Sequence, residues 1–384
     1  MKVAQVSLRF DAPGGVETNV REVAKGLRES GDDVTVFASD LYDEGRWERR
    51  TDWNPVVDGV PVRRFPVAQR AVPFVTMPMM GGLIDALAGE PFDVLHAHSH
   101  RYGHVLETAA VARRRRIPLV VSTHYHPADR GEPPLKRGLL RCQDVLFGMT
   151  AYRAAAALVV ETALEAALVR EFAPGHAIRV IPPGVDLDAW DLPGPEPPPA
   201  GLPARYLLYS GRVAPNKGLP TLFTALAEIP PAERLPLVLM GRDWGERPAL
   251  ERLASKLGIV PDVVWLGHVD SSADYRAVVR GATLFVLPSE WEAFGLVLLE
   301  AMAARVPVVA SAVGGVPEVL SEGKAGLLVP YGDGSALANA IVGLLADAAE
   351  RRRLVEAGRA RVQELTWAKA VERHRALYRE LTHH

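Results

Sequence analysis

The strongest constraint on this chain is a pattern that occurs twice: short apolar runs rich in Val and Leu, separated by stretches of helical periodicity. The first half contains "DDVTVFAS", "FDVLHAH", "IPLVVSTH", "AALVVET" and "AIRVIPPG", and from residue 205 a second series runs "RYLLYSG", "LPLVLMG", "VVWLGHV", "ATLFVLPS", "VPVVAS" and "AGLLVP". Near-continuous apolar strands alternating with helices specify a parallel sheet covered on both faces. Val16, Val20, Val23 and Leu27 recur at helical spacing and form the buried stripe of one covering helix, which Gly31 ends.

Between the two series lies "LPGPEPPPAGLPA", residues 192–204, whose prolines can continue neither a helix nor a central strand. The expected plan is α/β, with a Rossmann-like domain over 1–191, a Pro-rich linker over 192–204 and a second Rossmann-like domain over 205–365. A closing helix over 366–384 is expected to cross back to the first domain. A length of 384 residues with 48% hydrophobic content suits two cores of ordinary size.

A net charge of -2 offers no global attraction to nucleic acid. The one basic run, Arg113–Arg116, reads as the solvated end of a helix, with an anionic-lipid or acidic-acceptor contact as the alternative. Cys142 is the sole cysteine, which excludes an intramolecular disulfide and a Cys-based zinc cluster. "MKVAQVSLRF" enters a strand directly, and no apolar run reaches the ~18 residues that a membrane span needs. The expectation is a cytoplasmic protein, with contact to the inner membrane face left open. Lysine is scarce, seven against 37 arginines among 44 basic residues, so each one invites a reason.

In open α/β sheets, ligands bind beyond the carboxyl ends of strands, where loops lead into helix N-termini. Four motifs occupy such loops. In "DAPGGVETNV", Gly14 and Gly15 precede a helix and let backbone amides approach a phosphate or sugar. The GxGxxG of a dinucleotide site is absent, although Asp40 sits where a ribose-binding acid is expected. In "SGRVAPNKGL", Arg212 and Lys217 lie in one turn-forming loop and can converge on a diphosphate, the first as a fork and the second as a point charge.

The third motif is "EAFGLVLLEAMAA". Glu292 falls in the loop before the helix and Glu300 about one and a half turns inside it. The amides around Ala293, Phe294, Gly295 and Leu296 can receive anionic or hydroxyl oxygens. Two carboxylates flanking such a site suit a sugar nucleotide, one binding ribose hydroxyls and the other the hydroxyls of the sugar. The fourth motif is histidine: His96, His98 and His100 in "HAHSH", and His124 and His126 in "STHYH". Alternate histidines share one side of a strand, which makes a metal site conceivable, but no carboxylate at ligand spacing accompanies them. Neutral hydrogen-bonding histidines are the favoured reading.

Together "DAPGGVETNV", "HAH", "STHYH", "VIPPGVD", "SGRVAPNKGL", "LMGRDW", "VVWLGHV" and "EAFGLVLLEAMAA" resemble, in order and spacing, the retaining GT-B glycosyltransferases of family 4. The resemblance spans nearly the whole chain and implies two Rossmann-like domains facing across a cleft. It implies a nucleotide-diphosphate sugar donor, UDP- or GDP-linked, and transfer without a metal. The hexosyl unit would be of mannose, glucose or N-acetylglucosamine type, and the acceptor a sugar, a lipid-linked or a small molecule, as in cell-surface polysaccharide or glycolipid synthesis.

By the same resemblance Arg212 and Lys217 would bind the diphosphate, Glu300 the ribose, and Glu292 with the Ala293–Gly295 amides the transferred sugar. Residues near Gly241 and around His268 and Val269 would flank the base, Gly14 and Gly15 would close over, His124 would contact the donor sugar, and His98 would lie on the acceptor side.

Two departures from the family pattern stand out. Arg305 replaces the usual Gly after the "EAMAA" helix, which forces a non-Gly residue towards positive φ, and Pro183-Gly184-Val185-Asp186 replaces Asn-Gly-Val-Asp. "DLD" at 186–188 reads as a helix cap. The rival readings are a UDP-sugar 2-epimerase of the same architecture and a non-catalytic nucleotide-sugar-binding protein.

Overall fold

The computed structural model describes residues 1–43, 47–67, 78–127, 133–191 and 201–383. They form two compact units, Met1–Pro183 with Trp367–His384, and Gly184–Thr366.

The first unit carries strands β1 (Lys2–Ser7), β2 (Asp33–Ser39), β3 (Leu41–Asp43), β4 (Glu48–Arg49), β5 (Val56–Val57), β6 (Val60–Phe65), β7 (Val94–His98), β8 (Leu119–Ser122), β9 (Ala157–Val160) and β10 (Ile178–Val180). Its helices are α1 (Gly15–Glu29), α2 (Leu83–Ala88), α3 (Gly103–Arg115), α4 (Pro134–Thr150), α5 (Ala163–Phe172) and, from the chain's end, the last helix Trp367–Thr382. Eight strands form one sheet in the order β10-β9-β8-β7-β1-β2-β6-β5, parallel except at the β5–β6 edge. β3 and β4 pair separately. Side chains alternate across the sheet, so Ala4 and Val6 face one apolar cluster while Val3 faces another. The second cluster takes Val20, Val23 and Leu27 from α1 and Val371, Leu377 and Tyr378 from the last helix. Arg375 fixes that helix by donating to Asp32 at 2.7 Å.

The second unit carries β11 (Leu207–Ser210), β12 (Leu237–Met240), β13 (Val263–Gly267), β14 (Leu284–Leu287), β15 (Val308–Ser311) and β16 (Leu327–Val329). Its helices are α6 (Leu187–Asp191), α7 (Leu219–Glu228), α8 (Arg247–Leu257), α9 (Ser272–Gly281), α10 (Leu296–Ala303), α11 (Val316–Val319), α12 (Gly334–Ala346) and α13 (Ala348–Glu364), and the last helix of the first unit is therefore α14. The sheet is parallel throughout, in the order β13-β12-β11-β14-β15-β16. β11 lies in the middle, and Leu207, Leu208 and Tyr209 on it are fully buried. The strand order reverses direction between β11 and β14, so the loops after these two strands flank a topological switch point.

The contacts divide the chain at Pro183/Gly184, eight residues before the expected boundary at 191. The reason is α6: Asp186 caps it by accepting from the Ala189 amide, and Trp190 is buried in the second unit's core. Of the expected linker, 192–200 lie outside the described residues. Arg305 adopts φ 61°, the left-handed conformation anticipated for it. Its side chain is exposed, so Arg305→Gly should stabilise the protein by about 1 kcal/mol, because glycine enters this region without the Cβ clash. Chemical denaturation checks this, and a loss of stability would contradict it.

Candidate functional site

The carboxyl edge of the second sheet is closed by four loops stitched through their backbones. After β11, Val213 donates to Arg242 O and accepts from Trp244 N, both at 2.9 Å, joining the β11 loop to the β12 loop. Gly241 sits so close that a Cβ there would lie 1.9 Å from Gly211 O. The β11 loop is tied to the β14 loop by Glu290 N donating to Asn216 O at 3.0 Å. The β14 loop in turn meets the β15 loop, where Gly315 N donates to Glu292 O at 2.9 Å. Gly314 needs both its φ of 54° and its missing side chain, since a Cβ would come within 1.9 Å of that same Glu292 oxygen.

This frame brings Lys217 and Glu292 together. The Lys217 ammonium donates to Glu292 Oε1 at 2.6 Å, and Ser289 Oγ donates to the same oxygen at 2.6 Å. The lysine stands at the end of a short 3₁₀ turn, Pro215–Lys217, that Pro215 starts and left-handed Gly218 ends. Glu292 lies just before α10, whose N-cap is Gly295 at φ 89°. The first-turn amides of a helix have no intrahelical acceptors and attract anions. Arg212 is exposed and lies over the indole of Trp244, 4.5 Å from the ring centre. Phe294 is buried beneath the turn and anchors it.

Glu300, one turn into α10, accepts from Tyr275 Oη at 2.5 Å, and Tyr275 meets Ser210 Oγ at 3.1 Å at the end of β11. Burial raises the Glu300 carboxyl to about 7, against which the Tyr275 hydrogen bond works. His268 and Val269 follow β13 at the sheet edge, where His268 is 3.3 Å from Asp270. Arg212, Lys217, Gly241, Glu292–Leu296 and Glu300 therefore share one edge of one sheet. Ser210, Tyr275, Ser289 and Trp244 escaped sequence reasoning. Each acts through a neighbour, and no spacing rule marks such a residue.

In the first unit the histidines form a buried chain. His124 Nδ1 donates to Glu161 Oε1 at 3.0 Å, and its Nε2 lies 3.3 Å from His98 Nδ1. His98 Nε2 donates to Gln5 Oε1 at 2.5 Å, Gln5 Nε2 donates to Tyr378 Oη, and Tyr378 meets His96 Nδ1 at 2.6 Å. His96 Nε2 ends the chain at Ser122 Oγ, 2.8 Å away. Burial lowers His96 and His98 well below the usual range, so both are neutral. Burial also lowers His124, but the hydrogen bond and charge of Glu161, with Glu165 and Glu17 beyond it, outweigh that and raise it. A charged His124 donates from both nitrogens, which orients every later donor in the chain in one direction. His124 also has φ 42°, an unusual conformation for a non-glycine residue and one that clusters at functional positions.

His98, expected on the acceptor side, is fully buried with both nitrogens engaged, so it reaches a ligand only through His124. His100 belongs to a different cluster, bonded to Asp144 and Tyr152. Among the described residues, no group of three His, Cys, Asp or Glu side chains could hold a metal. Gly14 caps α1, but the space over it is occupied: a Cβ there would meet Glu17 Oε2 at 2.1 Å, and Arg9 binds that carboxylate at 2.6 Å. Asp40 is spent on Arg49 at 3.0 Å and on the Val67 amide, which removes the ribose reading.

Two family models match the chain, one described as a glycosyl transferase 4-like domain over residues 14–184 and one as glycosyl transferases group 1 over 197–361. A D-inositol 3-phosphate glycosyltransferase of Catenulispora acidiphila is 34% identical, the alignment covering 95% of this chain and 90% of that protein. A phosphatidyl-myo-inositol mannosyltransferase of Mycobacterium leprae is 31% identical over 94% and 91%. Among solved structures, sucrose-phosphate synthase from Thermosynechococcus elongatus matches with a TM-score of 0.76 at 25% identity, over 99% of both chains. Anabaena HepE in complex with UDP and glucose matches with 0.77 at 20% identity, over 99% of this chain and 100% of that one. Matches of this extent, one family model falling on each Rossmann-like unit, make the chain a group 1 glycosyltransferase of family 4 with the GT-B fold.

Proposed function

We propose that the chain transfers a hexosyl unit, with retention of anomeric configuration and without a metal, from a nucleotide-diphosphate sugar bound by the second unit. The observation that carries this reading is the Lys217–Glu292 pair at the mouth of α10, beside the Arg212 loop and Glu300. Lys217, Arg212 and the α10 N-terminus together supply the positive field that a departing diphosphate needs, the task a divalent cation performs elsewhere. Glu292 would take hydroxyls of the transferred sugar once Lys217 turns to phosphate, and Glu300 would take the ribose hydroxyls. Gly241, His268 and Val269 would flank the base.

His124 receives the role of donor to the sugar, with Glu161 and His98 as positioning residues that hold its ring. Gly14 and Gly15 can cradle an anion only if Glu17 withdraws with Arg9. The relatives' names, with inositol 3-phosphate and phosphatidyl-myo-inositol in them, support a phosphorylated or lipid-linked polyol as acceptor.

Lys217→Ala should lower turnover by about a hundredfold or more, by analogy with the loss of one transition-state donor, and Arg212→Ala by a smaller factor because its guanidinium is exposed. Donor-hydrolysis and transfer assays check this, with the product anomer read by NMR. An inverted product would overturn the retaining reading, and loss of activity on chelation that Mn²⁺ or Mg²⁺ restores would overturn the metal-independent one.

The glutamates separate by substrate. Glu300→Gln should weaken free nucleoside diphosphate by about tenfold, while Glu292→Gln should leave that affinity near wild type and lower turnover. Calorimetry resolves the two, and equal effects on free nucleoside diphosphate would contradict the division.

The Glu300 carboxyl also predicts a pH effect on stability. A carboxyl raised in the fold stays protonated there while the unfolded chain ionises, so its contribution is most favourable below 4.5 and is lost as pH rises towards about 7. Glu300→Gln should therefore raise the melting temperature at pH 8 by several degrees and change it little near pH 5. A shift independent of pH would contradict the assignment.

A further inference from the structure

The buried hydrogen-bond chain that begins at His124 can point either way. In the sense described, His124 donates from Nε2 to His98 Nδ1, 3.3 Å away. His98 then carries its proton on Nε2 and donates it to Gln5 Oε1 at 2.5 Å, which leaves the Gln5 amide nitrogen to donate to Tyr378 Oη at 3.1 Å. Tyr378 donates to His96 Nδ1 at 2.6 Å, and His96 Nε2 donates to Ser122 Oγ at 2.8 Å. Imidazole, amide and hydroxyl groups each serve as donor and as acceptor. The opposite sense therefore needs no heavy atom to move except those of the Gln5 amide, turned end for end. His98 then donates from Nδ1 to a His124 lone pair, Gln5 donates to His98, Tyr378 to Gln5, His96 to Tyr378 and Ser122 to His96. The two senses differ by one proton, the one on His124 Nε2.

Gln5 is the member that selects between them. It lies on β1 in the interior of the first sheet, and Gln5, His96, His98 and Tyr378 are all fully buried, so each bond lost leaves an unpaired group in low dielectric. Buried N–H groups are left unpaired less readily than buried acceptors. His98 therefore keeps its proton on Nε2 only while Gln5 presents its oxygen there, and Gln5 does so only while Tyr378 accepts from its nitrogen. Tyr378 comes from α14, so the last helix of the chain reaches His124 through two links. Carboxylates favour the same sense from the other side. Glu161 accepts from His124 Nδ1 at 3.0 Å, and Glu165 on α5 and Glu17 on α1, the latter paired with Arg9, add their charge. His96, His98 and His374 lie near enough to feel the charge of His124, but burial keeps all three neutral. We propose that Gln5 and Tyr378 are positioning residues that, by fixing the tautomer of His98, decide whether His124 offers a proton or a lone pair. The effect on turnover, and only that effect, rests on the reading of His124 as donor to the transferred sugar.

The test is a histidine-selective nitrogen NMR titration of the full chain, with His124→Gln assigning the resonance. It runs beside the pH profile of hydrolysis of whichever of UDP-glucose and GDP-mannose the chain cleaves. Tyr378→Phe keeps the ring and removes the hydroxyl, so the Gln5 amide turns and the His124 midpoint should fall by about one pH unit. Gln5→Glu sets an acceptor-only carboxylate against His98, so the midpoint should rise by about as much. Loosened packing alone would move both variants the same way. If His124 acts in its charged form, activity is lost as pH rises through its midpoint, so the alkaline limb should move down in Tyr378→Phe and up in Gln5→Glu. A midpoint that neither substitution moves, or that both move in one direction, would overturn the proposal. Should Gln5→Glu fail to fold, an unmoved midpoint in Tyr378→Phe overturns it alone. Midpoints that part in opposite directions while the pH profile stays still would uphold the proposal and remove His124 from the transfer step.

Discussion

The candidate site of the second unit depends on one pair of opposite charges held out of water. Lys217 and Glu292 have side chains only 12% and 14% exposed and lie 2.6 Å apart. Desolvating both charges costs nearly as much as their attraction returns, so such a pair adds little to stability compared with apolar residues of the same size. It does fix where a cation and an acceptor stand at the sheet's carboxyl edge. Lys217 leaves the 3₁₀ turn after β11, Glu292 precedes α10 after β14, and these two strands are the neighbours between which the strand order reverses. The backbone bond from Glu290 N to Asn216 O holds these two loops in register, and the bond from Gly315 N to Glu292 O ties the second of them to the β15 loop. The backbone that carries the two charges is therefore fixed in advance, and only the two side chains need turn to receive a ligand.

The first unit supplies a different kind of order. Six polar side chains from Glu161 through His124, His98, Gln5 and Tyr378 to His96 share hydrogen bonds, the last four of them fully buried, and Tyr378 comes from the far end of the chain. A fully satisfied buried network is rigid because any broken link leaves an unpaired group in low dielectric. α14 therefore does more than cover α1, because its tyrosine joins the histidine chain that sets the ring of His124.

Much of this was legible in the sequence, for stated reasons. The alternation of Val-rich runs with helical segments dictated two parallel sheets, because a strand buried on both faces has nowhere to place polar residues. Lys217 and Glu292 stood out because lysine is scarce and because both follow strands. The domain boundary was misplaced by eight residues, since a proline cluster announces where chain cannot be regular but not where packing changes hands, and Trp190 had already joined the second core. Asp40 looked like a ribose ligand from position alone, while Arg49 and the Val67 amide consume it. The family resemblance put His98 on the acceptor side, and in the fold its Nε2 is engaged by Gln5 on the neighbouring β1. Tyr275 and Ser289 carried no signal, because a residue that acts by holding another is defined by a contact in three dimensions.

A crystal structure of the chain with an intact nucleotide-diphosphate sugar tests the central claim most directly. The account predicts that Lys217 Nζ leaves Glu292 Oε1 for a diphosphate oxygen, that Glu292 turns to hydroxyls of the sugar, and that Glu300 accepts from the ribose while Tyr275 stays in place. A diphosphate seated away from the β11 and β14 loops, with the Lys217–Glu292 pair still closed, would contradict it.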